Sequence, residues 1–212
     1  KSNVHNILMT FTALGYLTQD VETGKFRLGV SIMSLSRAFR EGLDITRIAG
    51  PFMREIANEA GELVYLTVPK DDSVIYLEGI SPDNQRMVSK SVAGEDCKMY
   101  CTAVGKAMLA NMPKEEVEKC ISGKLEAYTE NTITDKKSLL EEIEKTRIRG
   151  YGIDDMEIMF GIKCVGVALL NHDGKVEGGL SISAPSLRMS DEKIELYANI
   201  LKEYAAKIQK ML

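Results

Sequence analysis

The chain is 212 residues long, 44% hydrophobic and 27% charged, with a formal net charge of −4. This is the balance of an ordinary soluble globular protein, one large domain or one domain with a small appendage, and it excludes disordered and fibrous classes. No apolar run approaches the roughly 18–20 residues of a membrane span, Lys1–His5 is not a signal peptide, and cysteines at 97, 101, 120 and 164 lack a compact disulfide spacing, which points to reduced thiols in a cytoplasmic protein.

Ser2 to Leu14 carries apolar residues at 4, 7, 8, 11 and 14, a helical period, with Ser2 as N-cap and Gly15 as stop. Packing those apolar residues inward leaves Lys1, Asn3, His5, Asn6 and Thr10 exposed. YLTQDVETGKFRLG then reads as two short strands around Glu22-Thr23-Gly24, and Ser31 to Arg40 resumes a helical pattern that ends near Gly42. Residues 1–40 hold five basic side chains against two acidic ones, +3, leaving −7 on the rest. A basic head on an acidic body suits a small nucleic-acid contact region joined to a domain that does not bind nucleic acid.

Asp44 to Ala60 is the cleanest amphipathic helix, with Pro51 inside it predicting a kink or a break. Three strands are expected at Leu63–Val68, Val74–Gly79 and Arg86–Ser91, with turns at Asp71-Asp72-Ser73 and Pro82-Asp83-Asn84. Helices follow at Thr102–Asn111, Pro113–Ile121 and Lys136–Arg149, the last with Leu139, Leu140 and Ile143 on its apolar face. Strands at Tyr151–Ile153, Cys164–Leu170 and Val176–Ser183 come next, and a final helix runs from Ser190 to Leu212. Two groups of strands with helices between and after them predict an α+β domain with an antiparallel sheet flanked by helices.

The residues that carry chemistry cluster near the end of this order. Asp154 and Asp155 follow one strand, Cys164 opens the next, and alternation puts Ser181 and Ser183 on one face. An acid, a thiol and two hydroxyls on one sheet face can grip a small polar molecule. They include no strong nucleophile–base pair, which favours binding over catalysis. At the other end of the chain, Ser2, Asn3, His5 and Asn6 can meet base edges in a major groove, while the hairpin's Lys25 and Arg27 reach phosphates. The bracing first helix of a helix-turn-helix would lie upstream of Lys1.

Seven pieces in order resemble the IclR family of bacterial transcription regulators, named after the isocitrate lyase regulator. They are SNVHNILMTFTALGYL, TGKFRLG, GELVYL, CTAVGKAMLA, NTITD, RGYGIDDMEIMFGIKCVGVAL and GGLSISAPSLRMS. The resemblance implies a partial winged helix-turn-helix over 1–29, a linker helix over 30–42 and a GAF-like effector domain over 43–212. It implies a homodimer or homotetramer that binds a double-stranded DNA operator, usually as a repressor, under control of a small organic acid or aromatic effector. Carried over by motif, the effector pocket comprises the backbone amides of Ala103 and Val104 with Asp154, Cys164, Ser181 and Ser183. The DNA-contacting residues are Ser2, Asn3, His5, Asn6 and Lys25. Two positions depart from the family: Asn6 stands where Arg is usual, and Tyr100 where His is usual. The resemblance would put Tyr100 and Met99 beside the pocket loop and make the pocket more apolar, favouring an aromatic or larger effector.

Physically, helix-start amides suit a carboxylate because they lack intrahelical partners and sit at the positive end of the helix dipole. Ser181 and Ser183 can donate to the same anion. Asp154 beside an anion must be protonated or accept from a ligand hydroxyl. Other chemistries fit less well. Asp154, Asp155 and Glu157 match no calcium-loop spacing, and adjacent strand residues face opposite ways. Cys97 and Cys101 lack the second pair or the histidine that zinc needs. Gly105-Lys106 lacks the earlier glycine of a phosphate loop, and neither His5 nor His172 stands where a cysteine-dependent hydrolase would need its base. No cofactor, metal or membrane association is expected, and no enzymatic activity.

Overall fold

The computed structural model describes residues 2–83 and 93–212. The described chain divides into two compact units, residues 1–44 and 45–212. The first comprises α1 (Ser2–Ala13), a hairpin of β1 (Leu17–Gln19) and β2 (Phe26–Leu28), and α2 (Ile32–Glu41). Gly15 stops α1 in a left-handed conformation, φ +76°, that glycine adopts without strain. The hairpin pairs Leu17 with Leu28 and Gln19 with Phe26. Asp20 fixes its turn, accepting from the amides of Glu22 at 3.1 Å and Thr23 at 2.8 Å.

The apolar residues of α1 are not packed inward as the period predicts. Val4, Ile7, Phe11 and Leu14 are exposed, as are Met33, Leu35 and Phe39 on α2. Within this unit Gly29 is the one described residue that is buried. A helix followed by a three-residue hairpin has too little surface to cover an apolar stripe by itself.

The second unit is built on a six-stranded antiparallel sheet. Its strands are β3 (Leu63–Lys70), β4 (Ser73–Ile80), β5 (Asp96–Lys98), β6 (Gly152–Asp155), β7 (Ile162–Leu170) and β8 (Val176–Pro185), in spatial order β5-β4-β3-β8-β7-β6. The long β3 and β8 pair at the centre, aligning Tyr65 with Ser181 and Leu63 with Ser183. Helices α3 (Asp44–Ala60), α4 (Ala103–Ala110), α5 (Lys114–Cys120), α6 (Lys136–Arg149) and α7 (Asp191–Gln209) complete the unit, so the expected α+β class with a flanked antiparallel sheet holds. The expected strand Arg86–Ser91 and the last residue of the turn before it, Asn84, lie outside the described residues.

Strand alternation explains the two faces. Val64, Leu66, Val165, Leu180 and Ile182 are fully buried on one side. There α7 packs on β7 and β8 through its stripe of Ile194, Tyr197, Leu201, Tyr204 and Ile208. The rings of Phe52 and Tyr204 join α3 to α7, and the Tyr204 hydroxyl donates to Glu59 at 3.2 Å. α3 runs unbroken from Asp44 to Ala60 through Pro51, so of the expected kink or break the break does not occur. Ile48, Ala49, Met53 and Ile56 are buried on both sides of Pro51, so packing holds the helix where a donor is missing. On the other sheet face lies α4, backed by a second core of Met108, Leu109, Val117, Leu139 and Ile143. Leu140, expected in that core, is 42% exposed, because α6 turns only its 139/143/146 stripe inward.

Candidate functional site

Three glycines decide how α4 sits. Gly152 on β6, Gly166 on β7 and Gly179 on β8 face its first turn. A Cβ at Gly166 would stand 2.6 Å from the amide nitrogen of Val104, and at Gly152 or Gly179 it would overlap Ala103 or Val104. Only hydrogen at Gly152 and Gly166 lets the helix backbone rest on the strands, while Gly179 makes room for the Val104 side chain. Gly105 is small for a related reason: a side chain there would strike Met99 and Thr102. Tight packing, rather than a phosphate loop, therefore explains the Gly105-Lys106 pair.

Thr102 caps α4, its hydroxyl accepting from the Gly105 amide at 3.1 Å and its carbonyl from the Lys106 amide at 2.9 Å. The amides of Ala103 and Val104 are left with no partner among the described residues. They line a cavity of about 790 Å³ together with Asp154, Cys164, Ser181 and Ser183. All six predicted pocket residues thus meet at one hollow. Register accounts for the floor: Asp154 lies opposite Cys164, and Cys164 opposite Ser183. Directly paired residues of an antiparallel sheet point to the same face. Asp155 points the other way and pairs with Lys163 at 2.7 Å, so the two adjacent aspartates do not act together.

The cavity's electrostatics are set by burial. Asp154 is buried, and burial pushes its pKa up to about 6, although its carboxylate accepts from the Glu157 amide at 2.7 Å. Burial also pushes the Cys164 thiol well up; it donates to the Ser183 hydroxyl at 3.3 Å, which suits a lining group and not a nucleophile. Among the described residues the cavity lining contains no histidine or lysine to serve as a base.

Several site residues have no counterpart in the predicted set. Tyr65 and Tyr76 form an edge-to-face pair, centroids 5.1 Å apart, that walls the cavity. Gly79, opposite Tyr65, makes room for that ring, since a Cβ there would stand 2.8 Å from it. At another part of the lining, Arg188 donates to the carboxylate of Glu62 through Nε at 2.6 Å and Nη2 at 2.5 Å. Behind Asp154, Lys106 of α4 forms a buried ion pair with Glu157, one of whose carboxylate oxygens has no partner. Burial pushes the Glu157 pKa up and the ammonium opposes that shift. Two threonines hold the same loop: Thr132 of the NTITD segment donates to the Glu157 carbonyl at 2.6 Å, and Thr129, just before that segment, to the Met156 carbonyl at 2.7 Å. Glu62, Arg188 and Thr132 sit inside the family-like motifs, but no period or spacing marks their partners, which are far away in sequence.

Tyr100 and Met99 do not line the cavity as the resemblance implied. Both are buried in the core behind α4, and the Tyr100 hydroxyl donates to the Glu126 carbonyl at 2.7 Å. The short 3-10 turn Met99–Cys101 carries them, with all three of its residues buried. All four cysteines are free thiols, as expected. No cluster of three metal-ligating side chains occurs among the described residues, and no described helix is long and apolar enough to cross a membrane. A larger hollow of about 1060 Å³, between the β3–β4 turn, the start of α5 and the β7–β8 turn, contains none of the predicted residues.

In the N-terminal unit, Asn3, His5, Asn6 and Lys25 are exposed on α1 and the hairpin, while Ser2 is the first residue of α1.

Residues 38–210 match the family model of the bacterial transcriptional regulator IclR C-terminal domain. The HTH-type transcriptional regulator KdgR of Escherichia coli K12 is 35% identical over 210 residues, covering 98% of this chain and 79% of that protein. The transcriptional repressor IclR of the same organism is 28% identical over 205 residues, covering 95% and 74%. Among solved structures, the IclR protein of Thermotoga maritima superposes with a TM-score of 0.81 at 30% identity, over 99% of this chain and 84% of that one. The C-terminal domain of E. coli KdgR superposes at 0.71 and 33% identity, over 80% and 98%. With the motifs, the fold and these relatives in agreement, the chain belongs to the IclR family of bacterial transcriptional regulators.

Proposed function

We propose that this chain is the sensing part, with recognition helix and wing, of a repressor that responds to a small organic acid. Residues 43–212 are the effector domain, 30–42 the linker helix and 1–29 the partial DNA-binding head. The observation that carries the reading is the pair of unpartnered amides of Ala103 and Val104, which open onto the same hollow as two serine hydroxyls and a buried acid. Backbone amides at a helix start hold a carboxylate without needing a basic side chain. The effector's carboxylate sits against Ala103 and Val104, Ser181 and Ser183 donate to it, and protonated Asp154 donates a further hydrogen bond. Cys164 shapes the floor.

For the other half of the function, Asn3, His5 and Asn6 face base edges or phosphates, Ser2 stands at the helix start, and Lys25 on the hairpin reaches the backbone of a double-stranded operator. The exposed apolar stripe of α2 suits self-association into a homodimer or homotetramer, which presents paired heads. An operator-binding protein of this kind works in the cytoplasm. The names of relatives such as the E. coli repressor IclR and the Salmonella typhimurium acetate operon repressor favour repression over activation. Control requires the acid to bind one arrangement of the assembly better than the other, with α2 as the connecting lever.

The test uses a protein that carries a complete winged helix. Asp154→Ala or Ser183→Ala should weaken effector binding at least tenfold, as expected for losing a buried hydrogen-bond partner, and leave operator affinity in the absence of effector within about twofold. Parallel loss of both affinities would contradict separate sensing and DNA-binding sites.

A further inference from the structure

Two charged side chains lie buried behind the cavity, and neither lines it. Lys106 is 1% exposed and Glu157 3%, and they form an ion pair inside the second unit. A pair taken out of water this completely stabilises a fold only when its remaining hydrogen-bonding capacity is met. Here Glu157 Oε2 is buried without a partner among the described residues, so stability alone does not account for the pair. Its placement does. Lys106 stands at the start of α4, two residues after Val104, whose amide opens onto the cavity. Glu157 stands in the loop after β6, three residues past Asp154, and its amide donates to Asp154 Oδ1 at 2.7 Å. The ion pair therefore joins the two elements that carry the open amides and the buried acid.

The same geometry fixes a charge count. Lys106 and Glu157 cancel, so an ionised Asp154 leaves this buried group with one negative charge, and a bound carboxylate would add a second. Like charges out of water repel strongly, so a carboxylate is accepted when one proton from solvent joins Asp154. Oδ1 is engaged by the Glu157 amide, which leaves Oδ2 to carry that proton. The other groups that act on Asp154 are Cys164 on β7, Cys97 on β5, Cys101 in the turn before α4, and Tyr76 on β4. Burial raises all four, so they stay neutral where Asp154 titrates. Elsewhere on the lining Glu62 is paired with Arg188 and Glu95 is exposed, so neither enters the buried count.

We propose that Glu157 is a positioning residue of the effector site, held by Lys106 and acting through Asp154. Its amide sets where the acid stands, and its charge ensures that an effector carboxylate enters together with a proton. The proposal rests on the carboxylate reading of the α4 end, but its first test needs no ligand. The Asp154 carboxyl carbon is titrated by NMR in the 212-residue chain, with Asp154→Asn identifying the signal. Glu157→Gln keeps an acceptor for Lys106 and the amide for Asp154 but removes the charge, and should lower the midpoint by about one pH unit or more. Lys106→Gln should raise it, and Lys106→Gln/Glu157→Gln should return it to within about half a unit of wild type. Opposite shifts that cancel are a signature of charge, which loss of packing does not produce, and either single variant gives the sign if the other fails to fold. Calorimetry with benzoate and hexanoate follows. Affinity should fall about tenfold per pH unit above each protein's own midpoint, the slope for uptake of one proton. A midpoint unmoved by removing either charge, or an affinity that ignores pH, overturns the role of Glu157 and leaves the carboxylate reading intact. Midpoints that shift as expected while neither acid binds at any pH overturn the carboxylate reading, and the proton-linked entry with it.

Discussion

The two units carry the same kind of sequence signal and use it differently. α1 and α2 have apolar stripes as regular as those of α3 and α7, yet Val4, Ile7, Phe11, Met33 and Phe39 are exposed while Ile48, Met53, Ile56, Leu201 and Ile208 are buried. The difference lies in what surrounds each stripe. α3 and α7 have a six-stranded sheet beside them, while the hairpin of the first unit is three residues deep. An amphipathic period states that a helix has a face to cover and says nothing of whether the cover belongs to the same unit. In the second unit the covered faces also build a rigid frame, and the cavity is the part of the sheet that α4 leaves open.

That contrast can be broken most forcefully at the buried ion pair. Lys106→Met leaves Glu157 charged and unpaired in the interior and should destabilise the domain by about 3–5 kcal/mol in a denaturant melt, with Lys106→Met/Glu157→Leu recovering most of the loss. A loss under about 1 kcal/mol would mean that water reaches Glu157. Next comes the glycine seat of α4. Gly166→Ala forces the Val104 backbone away and should cost about 1–3 kcal/mol, together with effector binding, because the amides of Ala103 and Val104 move off the cavity. Retained binding at wild-type affinity would show that α4 tolerates the shift.

The titration of Asp154 gives a smaller and pH-dependent effect. Its folded pKa, about 6, lies above the ordinary 3.8, so the folded state favours the protonated acid. Stability from this group is therefore present at low pH and declines as pH rises through about 6, by up to roughly 2–3 kcal/mol across the window. Asp154→Asn should raise the melting temperature of the ligand-free chain at pH 8 and barely alter it at pH 4. In the wild-type chain, carboxylate binding should weaken between pH 5 and pH 8, and that slope should flatten in the variant. An unchanged slope would remove Asp154 from the anion site. The smallest effect belongs to the first unit. Phe39→Ser on α2 should change the stability of the second unit by no more than about 0.5 kcal/mol, as for an exposed position. A change beyond about 1 kcal/mol, with a shift in sedimentation, would show that this face is covered in the assembly.

Much of the fold was readable because its signals are local. Helix ends at Gly15, Gly42, Thr102 and Ser190, and strand alternation around Ser181 and Ser183, follow from backbone chemistry within a few residues. The short β5 escaped because three residues carry no period. The six pocket residues were found through motifs and alternation, and they do share one hollow. Glu62 with Arg188 and Lys106 with Glu157 were out of reach, since pairing across 126 or 51 residues leaves no mark in spacing.

By itself the sequence determined which segments are helix and strand, which faces are apolar, and which family of regulators the chain resembles, because these depend on periodicity and short-range backbone geometry. Only the tertiary structure decided that Tyr100 belongs to the core and Tyr65 and Tyr76 to the cavity, and that close-packed glycines seat α4 so that two of its amides stay free. Those outcomes depend on register and on close packing between strands and a helix distant in the chain, where a single methyl group is the difference between a helix that lies on the sheet and one that does not.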